Sequence, residues 1–305
     1  MMNNKKALQS NLLLVLTALI WGFSFVAQSE GNDIGSFTFN ASRSFVAGVV
    51  LLPVIALFDA LNKKQGIRRE TGDKKTLIIG GIACGCALFV ASAFQQIGIG
   101  YTTVGKAGFI TTLYILIVPF FGIFMKKKVP LAVWFAVVVA AVGMYLLCVT
   151  EEFTISKGDL LILCCAFCYA VHILVIDHYS PLVDGVRMSC IQFFTCGILS
   201  AIAMFIAEEP NMKEILAAWL PICYAGALSA GVGYTLQIIA QKNTNPTMAS
   251  LIMSLESVFA VLAGWLLLDQ ALSAKELIGC ALVFAAVIFT QLAPELPNLL
   301  KKKKA

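Results

Sequence analysis

Very few residues in this chain could do chemistry in an apolar setting, and they stand out against their neighbours. Glu256 lies near the middle of NPTMASLIMSLESVFAVLAGWLLLDQALS, Asn245 to Ser273. From Pro246 to Leu268 that stretch reads as one helix able to cross a bilayer at about 1.5 Å per residue, which puts the carboxyl near the hydrocarbon midplane. A charge there costs roughly 2.5 to 3.5 kcal/mol even on lenient insertion scales, so the acid should face a partner, a cavity or a proton. It could exchange a proton as a cavity opens to each side, or brace neighbouring helices or Arg43. Arg43 lies roughly 10 Å into its own apolar run, so its guanidinium either snorkels outward or pairs inward, and a structural role fits it best. Lys106, one turn inside another run, reads as a snorkelling residue.

The remaining candidates are uncharged or nearly so. His172, one of two histidines, could hold a substrate carboxylate, relay protons near neutral pH, or hydrogen-bond between helices. Gln95 and Gln237 offer donors and acceptors without charge and suit substrate contact, although glutamines also bridge packed helices. Trp21 and Tyr169 could stack on an apolar substrate body or pack the core. The ten cysteines behave as small apolar residues, because Cys164 and Cys168 share a helical face with no further ligand nearby, so no metal is expected. No Ser/His/Asp set has supporting context, and no GxxxxGK[ST] phosphate loop is present, so neither an enzyme nor a chain carrying its own ATP motor is expected. An intramembrane enzyme would need a cluster of acids and histidines at depth, and only Glu256 and His172 qualify.

The elements that must position these groups follow from composition. Apolar residues make up 59% of the 305 positions and charged residues 13%, roughly half the charge of a soluble protein of this length. Apolar runs of about 20 residues, which satisfy their own backbone hydrogen bonds, identify an all-α polytopic membrane protein embedded in a lipid bilayer. Ten such runs occur, at about 12–27, 36–58, 76–97, 103–124, 131–149, 159–176, 188–207, 219–240, 246–268 and 276–292. Ten crossings place both termini on one side. Of the bases in the loops and near the ends of the runs, 17 fall on that side, among them Lys5, Lys6, Arg68, Arg69, Lys126 to Lys128 and Lys301 to Lys304, whereas Lys106, Lys157, Lys213 and Lys275 fall on the other. The positive-inside rule therefore makes both termini cytoplasmic, with Glu30, Glu151, Glu152, Glu208 and Glu209 outside. The net charge of +5 belongs to this topology and is no nucleic-acid footprint.

The chain also repeats itself weakly. An offset of 148 pairs Leu12 with Leu160, Ala18 with Ala166 and Trp21 with Tyr169, and an offset of 149 pairs Phe45 with Phe194 and Gly48 with Gly197. An offset of 142 pairs Gln95 with Gln237, Ala107 with Ala249, Gly122 with Gly264 and Tyr114 with Glu256. Five crossings per repeat is an odd number, so the two halves must enter the membrane in opposite senses. Inverted repeats of this kind build carriers that hold substrate near the midplane between the halves. The expected organisation is a first repeat over 1–149, an external loop over 150–157, a second repeat over 158–293 and a basic cytoplasmic tail over 294–305.

TALIWGFSFVAQ, ASRSFVAG, AGFITTLYILIVPFFGIF and SLESVFAVLAGWLLLDQALS, in that order, resemble the EamA family of the drug/metabolite transporter superfamily over nearly the whole chain. Two departures are visible: Ser257 stands where the family usually has a proline, and Asp269 where it usually has a glutamate. The resemblance implies a ten-helix inverted-repeat carrier that works by alternating access, with a cavity lined mainly by crossings one, three, four, six, eight and nine. The expectation is a secondary transporter of the plasma membrane that needs no cofactor and exports an amino acid or similar small metabolite. Import of a sugar, nucleoside or other metabolite is the alternative. Trp21, Gln95, Tyr114, Tyr169, His172, Gln237 and Glu256 are the expected substrate contacts, with Glu256 the coupling candidate and Arg43 a structural charge. Nothing in the pattern speaks to oligomeric state.

Overall fold

A computed structural model describes residues 4–64, 73–124, 129–148, 156–268 and 273–292. The basic pairs and triplets at 68–69 and 126–128, Glu151, Glu152, Asp269, most of the expected 150–157 loop and the 294–305 tail lie outside them. Within the described residues the chain is helical throughout. The first half comprises α1 (Asn4–Glu30), α2 (Ser36–Lys64), α3 (Lys74–Ile99), α4 (Val104–Thr112), α5 (Tyr114–Phe124) and α6 (Leu131–Cys148). The second comprises α7 (Lys157–Tyr179), α8 (Gly185–Ala207), the short α9 (Met212–Ala217) and α10 (Trp219–Cys223), a π-helical stretch at Tyr224–Tyr234, α11 (Thr235–Gln241), α12 (Pro246–Met253), α13 (Leu255–Leu268) and α14 (Ala274–Leu292). Eight helical segments are long and apolar enough to cross a membrane, and shorter apolar helices at Leu131–Leu146 and Leu277–Phe289 complete ten passes.

The packing is that of a membrane protein whose solvent is lipid. Leu8, Leu12, Leu16 and Leu19 on α1 and Phe135, Val138, Val142 and Tyr145 on α6 face outward, while Leu14, Ala18, Ala136, Ala140 and Met144 are fully buried. Because both faces of these helices are apolar, hydrophobic periodicity carries almost no information about which face turns inward. Inward faces are marked instead by small and polar residues, which let backbones approach and bond across helices. Loop ends are held by local caps: Asp73 accepts from the Thr76 N–H at 2.9 Å and its hydroxyl at 3.0 Å, and these bonds hold its carboxyl below the usual range.

The two halves pack through each other with reciprocal contacts. The main pairings set α3 against α7 and α8, α2 against α8, α6 against α14 and α1 against α13. Phe194 covers Gly48, where an added methyl would lie 3.0 Å from its ring, and Phe45 covers Gly197 at 3.2 Å. These are the two repeat pairs at offset 149, each aromatic filling the notch left by the other half's glycine, as at a self-complementary two-fold interface. Tyr114 and Glu256, paired at offset 142, also meet across the halves.

The structure corrects one reading of the sequence: the stretch from Asn245 is not one unbroken helix. It turns at Ser254, between α12 and α13, just as the fourth crossing turns at Leu113, between α4 and α5. Both turns are tightened by bonds three residues long, Leu116 N–H to Leu113 C=O at 3.0 Å and Ser257 N–H to Ser254 C=O at 3.1 Å. Hydroxyls bonding back three residues accompany them, from Thr112 to Phe109, Ser254 to Leu251 and Ser257 to Ser254. Pro119 does not cause the first break, since α5 runs through it.

Candidate functional site

Each broken helix resumes on a residue that faces the other half. Tyr114 opens α5 and Glu256 is the second residue of α13, and the Tyr114 hydroxyl donates to Glu256 Oε1 at 2.9 Å with both side chains buried. Two turns of broken helix thus bring repeat-equivalent positions together at the junction, and the bond needs one acid and one phenol, which the divergence of the repeats supplies.

Around that pair lies a cavity lined by residues of both halves, including Trp21, Arg43, Gln95, Tyr114, Tyr169, Tyr234 and Glu256. Its free volume is about 40 Å³, room for little more than water and far below the roughly 300–1,000 Å³ of a small-molecule site, so a substrate is received only once this cavity widens.

A directional hydrogen-bond chain crosses the cavity wall. The Tyr234 hydroxyl donates to the Tyr169 hydroxyl at 3.0 Å, Tyr169 donates to Gln95 Oε1 at 3.1 Å, and Gln95 Nε2 donates to Thr111 Oγ1 at 3.1 Å. The first two belong to the second half and the last two to the first. Trp21 stacks on Tyr234 with ring centroids 4.5 Å apart and donates its indole N–H to the Ser229 carbonyl at 3.2 Å. Ser229 sits in the π-helical stretch, whose wider turn offsets this segment from a regular α register. Gly233 takes part in the same approach, because a methyl there would lie 2.7 Å from Trp21 Nε1. An aromatic body is therefore faced by Trp21, Tyr234 and Phe193, the last two 5.6 Å apart and edge to face.

Charge enters the cavity from two residues. Glu256 is 3% exposed and Arg43 is 8% exposed. The Arg43 guanidinium carbon stands 5.6 Å from the centroid of the Phe39 ring. It neither snorkels to the surface nor, among the described residues, lies within 4 Å of a carboxylate. Lys106 behaves differently: its ammonium is a quarter exposed and 3.8 Å from Asp159.

Of the residues singled out from sequence, Trp21, Gln95, Tyr114, Tyr169 and Glu256 come together in the cavity, and Arg43 joins them. His172 and Gln237 do not line it. Both are buried: His172 lies next to the cavity in a polar layer, where its Nε2 is 3.0 Å from Gln192 Oε1 and its ring stands edge-on to Tyr169 and Tyr234. In the same layer Ser189 and Thr235 hydroxyls are 2.7 Å apart, and Gln241 Nε2 donates to the Ile173 carbonyl. His172 Nδ1, Gln192 Nε2, Gln237 Oε1 and Gln241 Oε1 are buried without a partner. Tyr234, Ser24, Gln28, Ser92 and Thr111 line the cavity without having been anticipated. The offset of 142 pairs Tyr234 with Ser92, but neither stood out by type or spacing, so no sequence signal selected them.

Comparison with known proteins adds an independent finding. The sequence matches the profile of the EamA-like transporter family twice, over residues 8–149 and 156–292. An uncharacterized transporter of Archaeoglobus fulgidus is 32% identical over 297 residues, covering 94% of this chain and 87% of that protein. An uncharacterized transporter of Clostridium kluyveri is 23% identical, covering 85% of this chain and 84% of its own length. A solved crystal structure superposes with a TM-score of 0.74 at 18% identity over 93% of this chain and 96% of its own, a likeness of fold alone.

Proposed function

The chain belongs to the EamA-like transporter family, matched in both halves, and from that premise we infer that it exports an amino acid or closely related small metabolite across the plasma membrane by alternating access. As a multi-pass membrane transporter it moves its substrate unchanged. The observation that carries the finer reading is the cavity between the halves, with repeat-equivalent Tyr114 and Glu256 bonded at two broken helices. At Leu113 and Ser254 the backbone tightens yet stays helical and hydrogen-bonded, so the polar pair faces the cavity without exposing backbone to lipid.

In this reading the aromatic wall of Trp21, Tyr169 and Tyr234 receives the apolar body of the substrate, and Gln95, held at both ends by hydrogen bonds, presents a fixed amide to it. Glu256 is the coupling carboxylate. When protonated it can release Tyr114, and when ionised it recovers that bond, so occupancy of the proton and closure between the halves are linked through one contact. The buried polar layer around His172 supports a second conformation. Its atoms without a protein partner gain one if the helices around them shift. Both termini are cytoplasmic in this account.

The test is flux in liposomes containing the purified chain. A panel of labelled amino acids should exchange, and a pH difference should drive net movement. Glu256→Gln should fold and still exchange while losing the response to pH. Undiminished pH-driven movement by that variant would refute the coupling role, and no exchange of any amino acid would refute the substrate class.

A further inference from the structure

We propose that Arg43 anchors the carboxylate of the transported molecule, which restricts the carrier to substrates bearing one carboxylate and excludes the corresponding amides and amines. The proposal rests on the carrier reading above and assigns a role that reading leaves open.

A guanidinium at 8% exposure that lines a cavity is an expensive group. Taking a cation out of water is compensated by an anion and by hydrogen bonds to its donors. Among the described residues Arg43 has no carboxylate within 4 Å and no side-chain hydrogen bond, and its guanidinium carbon stands 5.6 Å from the centroid of the Phe39 ring. A cation–π contact takes up none of the five N–H donors, which stay available for something else. Ser24 Oγ and Gln28 Oε1, which line the same cavity, are also buried without partners. A carboxylate fits these donors, because the planar fork donates to both of its oxygens at once.

Glu256 narrows the choice further. It lies in the same cavity and is not within ion-pair distance of Arg43, so the two charges occupy separate places along one wall system. A dianionic phosphate would satisfy Arg43 and meet the field of Glu256, whereas a single carboxylate leaves room for a cationic or hydrogen-bond-donating group near the acid. The aromatic faces of Trp21 and Tyr234 then take the apolar remainder. The polar ends fix orientation and the rings add affinity without selecting one side chain.

The test uses three probes that share one alkyl body: hexanoate, hexanamide and hexylammonium, with hexyl phosphate as a fourth. Each is titrated against the purified full chain in micelles, and thermal unfolding reports binding, since a ligand of the folded state raises the midpoint. Hexanoate should bind at least tenfold more tightly than hexanamide, hexylammonium or hexyl phosphate. Arg43→Gln should remove that preference, and Arg43→Lys should keep the preference with weaker binding. In wild type, hexanoate and not hexanamide should also slow modification of Arg43 by phenylglyoxal, read by mass spectrometry, so the proposal remains testable if Arg43→Gln fails to fold. Equal binding of acid and amide, stronger binding of the amine or the phosphate, no binding of any probe, or an unchanged acid preference in Arg43→Gln would overturn the proposal. Exchange of amino acids in liposomes, measured separately, would still stand if the anchor fails, which separates the two conclusions.

Discussion

Replacing Gly22 with alanine should damage this protein more than its chemistry suggests, because Gly22 is where α1 and α13 touch. A methyl group there would overlap Phe259 Cβ and lie 2.8 Å from both the Ala260 nitrogen and the Phe259 carbonyl carbon. Two of those atoms are backbone and the third is bonded to it, so no rotamer change relieves the overlap. Carbon atoms rest at about 3.5 to 4.0 Å, so the helices must separate by about 1 Å. Overpacking of that kind costs about 1 to 3 kcal/mol, against a helix-propensity gain for alanine over glycine of about 1 kcal/mol at most. The displacement falls beside Trp21, so the stacking on Tyr234 and the bond to Ser229 move with it. Gly105 provides the control, since a methyl there meets nothing within 4 Å. Unfolding of the purified variants in micelles should show Gly22→Ala clearly less stable than wild type and Gly105→Ala unchanged or slightly more stable. If the two variants behave alike, the close approach of α1 and α13 is wrong.

Other expectations follow from single contacts. The Tyr114→Phe and Glu256→Gln pair should give a coupling of about 1 to 3 kcal/mol in a double-mutant cycle, larger when the acid is ionised, and a coupling near zero would mean the bond does not form. Glu208 accepts from Phe37 N–H, Thr38 N–H and the Thr38 hydroxyl, each at 2.8 Å, and so caps α2 from the far end of α8. Glu208→Ala should cost about 1 to 2 kcal/mol in unfolding measurements, as lost caps do, and Glu208→Gln less; equal stability of all three proteins would refute the cap. Gly35→Ala should also destabilise, because its φ of 97° lies in the left-handed region and its methyl would sit 2.5 Å from Glu208 Oε2; its cost should shrink in a Glu208→Ala background, and strict additivity would show that the two do not share a contact. A reporter fused after Lys304 should signal from the cytoplasm, and an external signal would reverse the assigned orientation.

Much of the site was legible because the repeat is legible. Trp21 with Tyr169 and Tyr114 with Glu256 are pairs the offsets select, and all four line the cavity. Gln95 and Gln237 show the limit of that logic. Equivalent in sequence, one is fixed in the cavity by Tyr169 and Thr111, while the other is buried beyond it with its carbonyl unpaired. The two equivalent positions meet different neighbours in the two halves, and no offset records that difference. His172 likewise lies beside the cavity, its ring edge-on to Tyr169 and Tyr234, rather than on its wall. Arg43 was weighed between snorkelling and pairing, and it does neither, because whether a long side chain reaches water depends on which neighbours stand over it.

The sequence by itself determined the class, the number of apolar passes and the doubling of the fold. Those follow from run length and composition, since a bilayer accepts only backbones that satisfy themselves. It also determined that Glu256 needed a partner. Only the tertiary structure decided that the partner is Tyr114, that both helices break beside the pair, and that a guanidinium stands in the cavity with no carboxylate near it among the described residues. In lipid both faces of a helix are apolar, so the rotation of each helix, and with it every side-chain partner, is set by packing contacts such as Phe45 on Gly197 and Phe194 on Gly48 rather than by a periodic pattern along the chain.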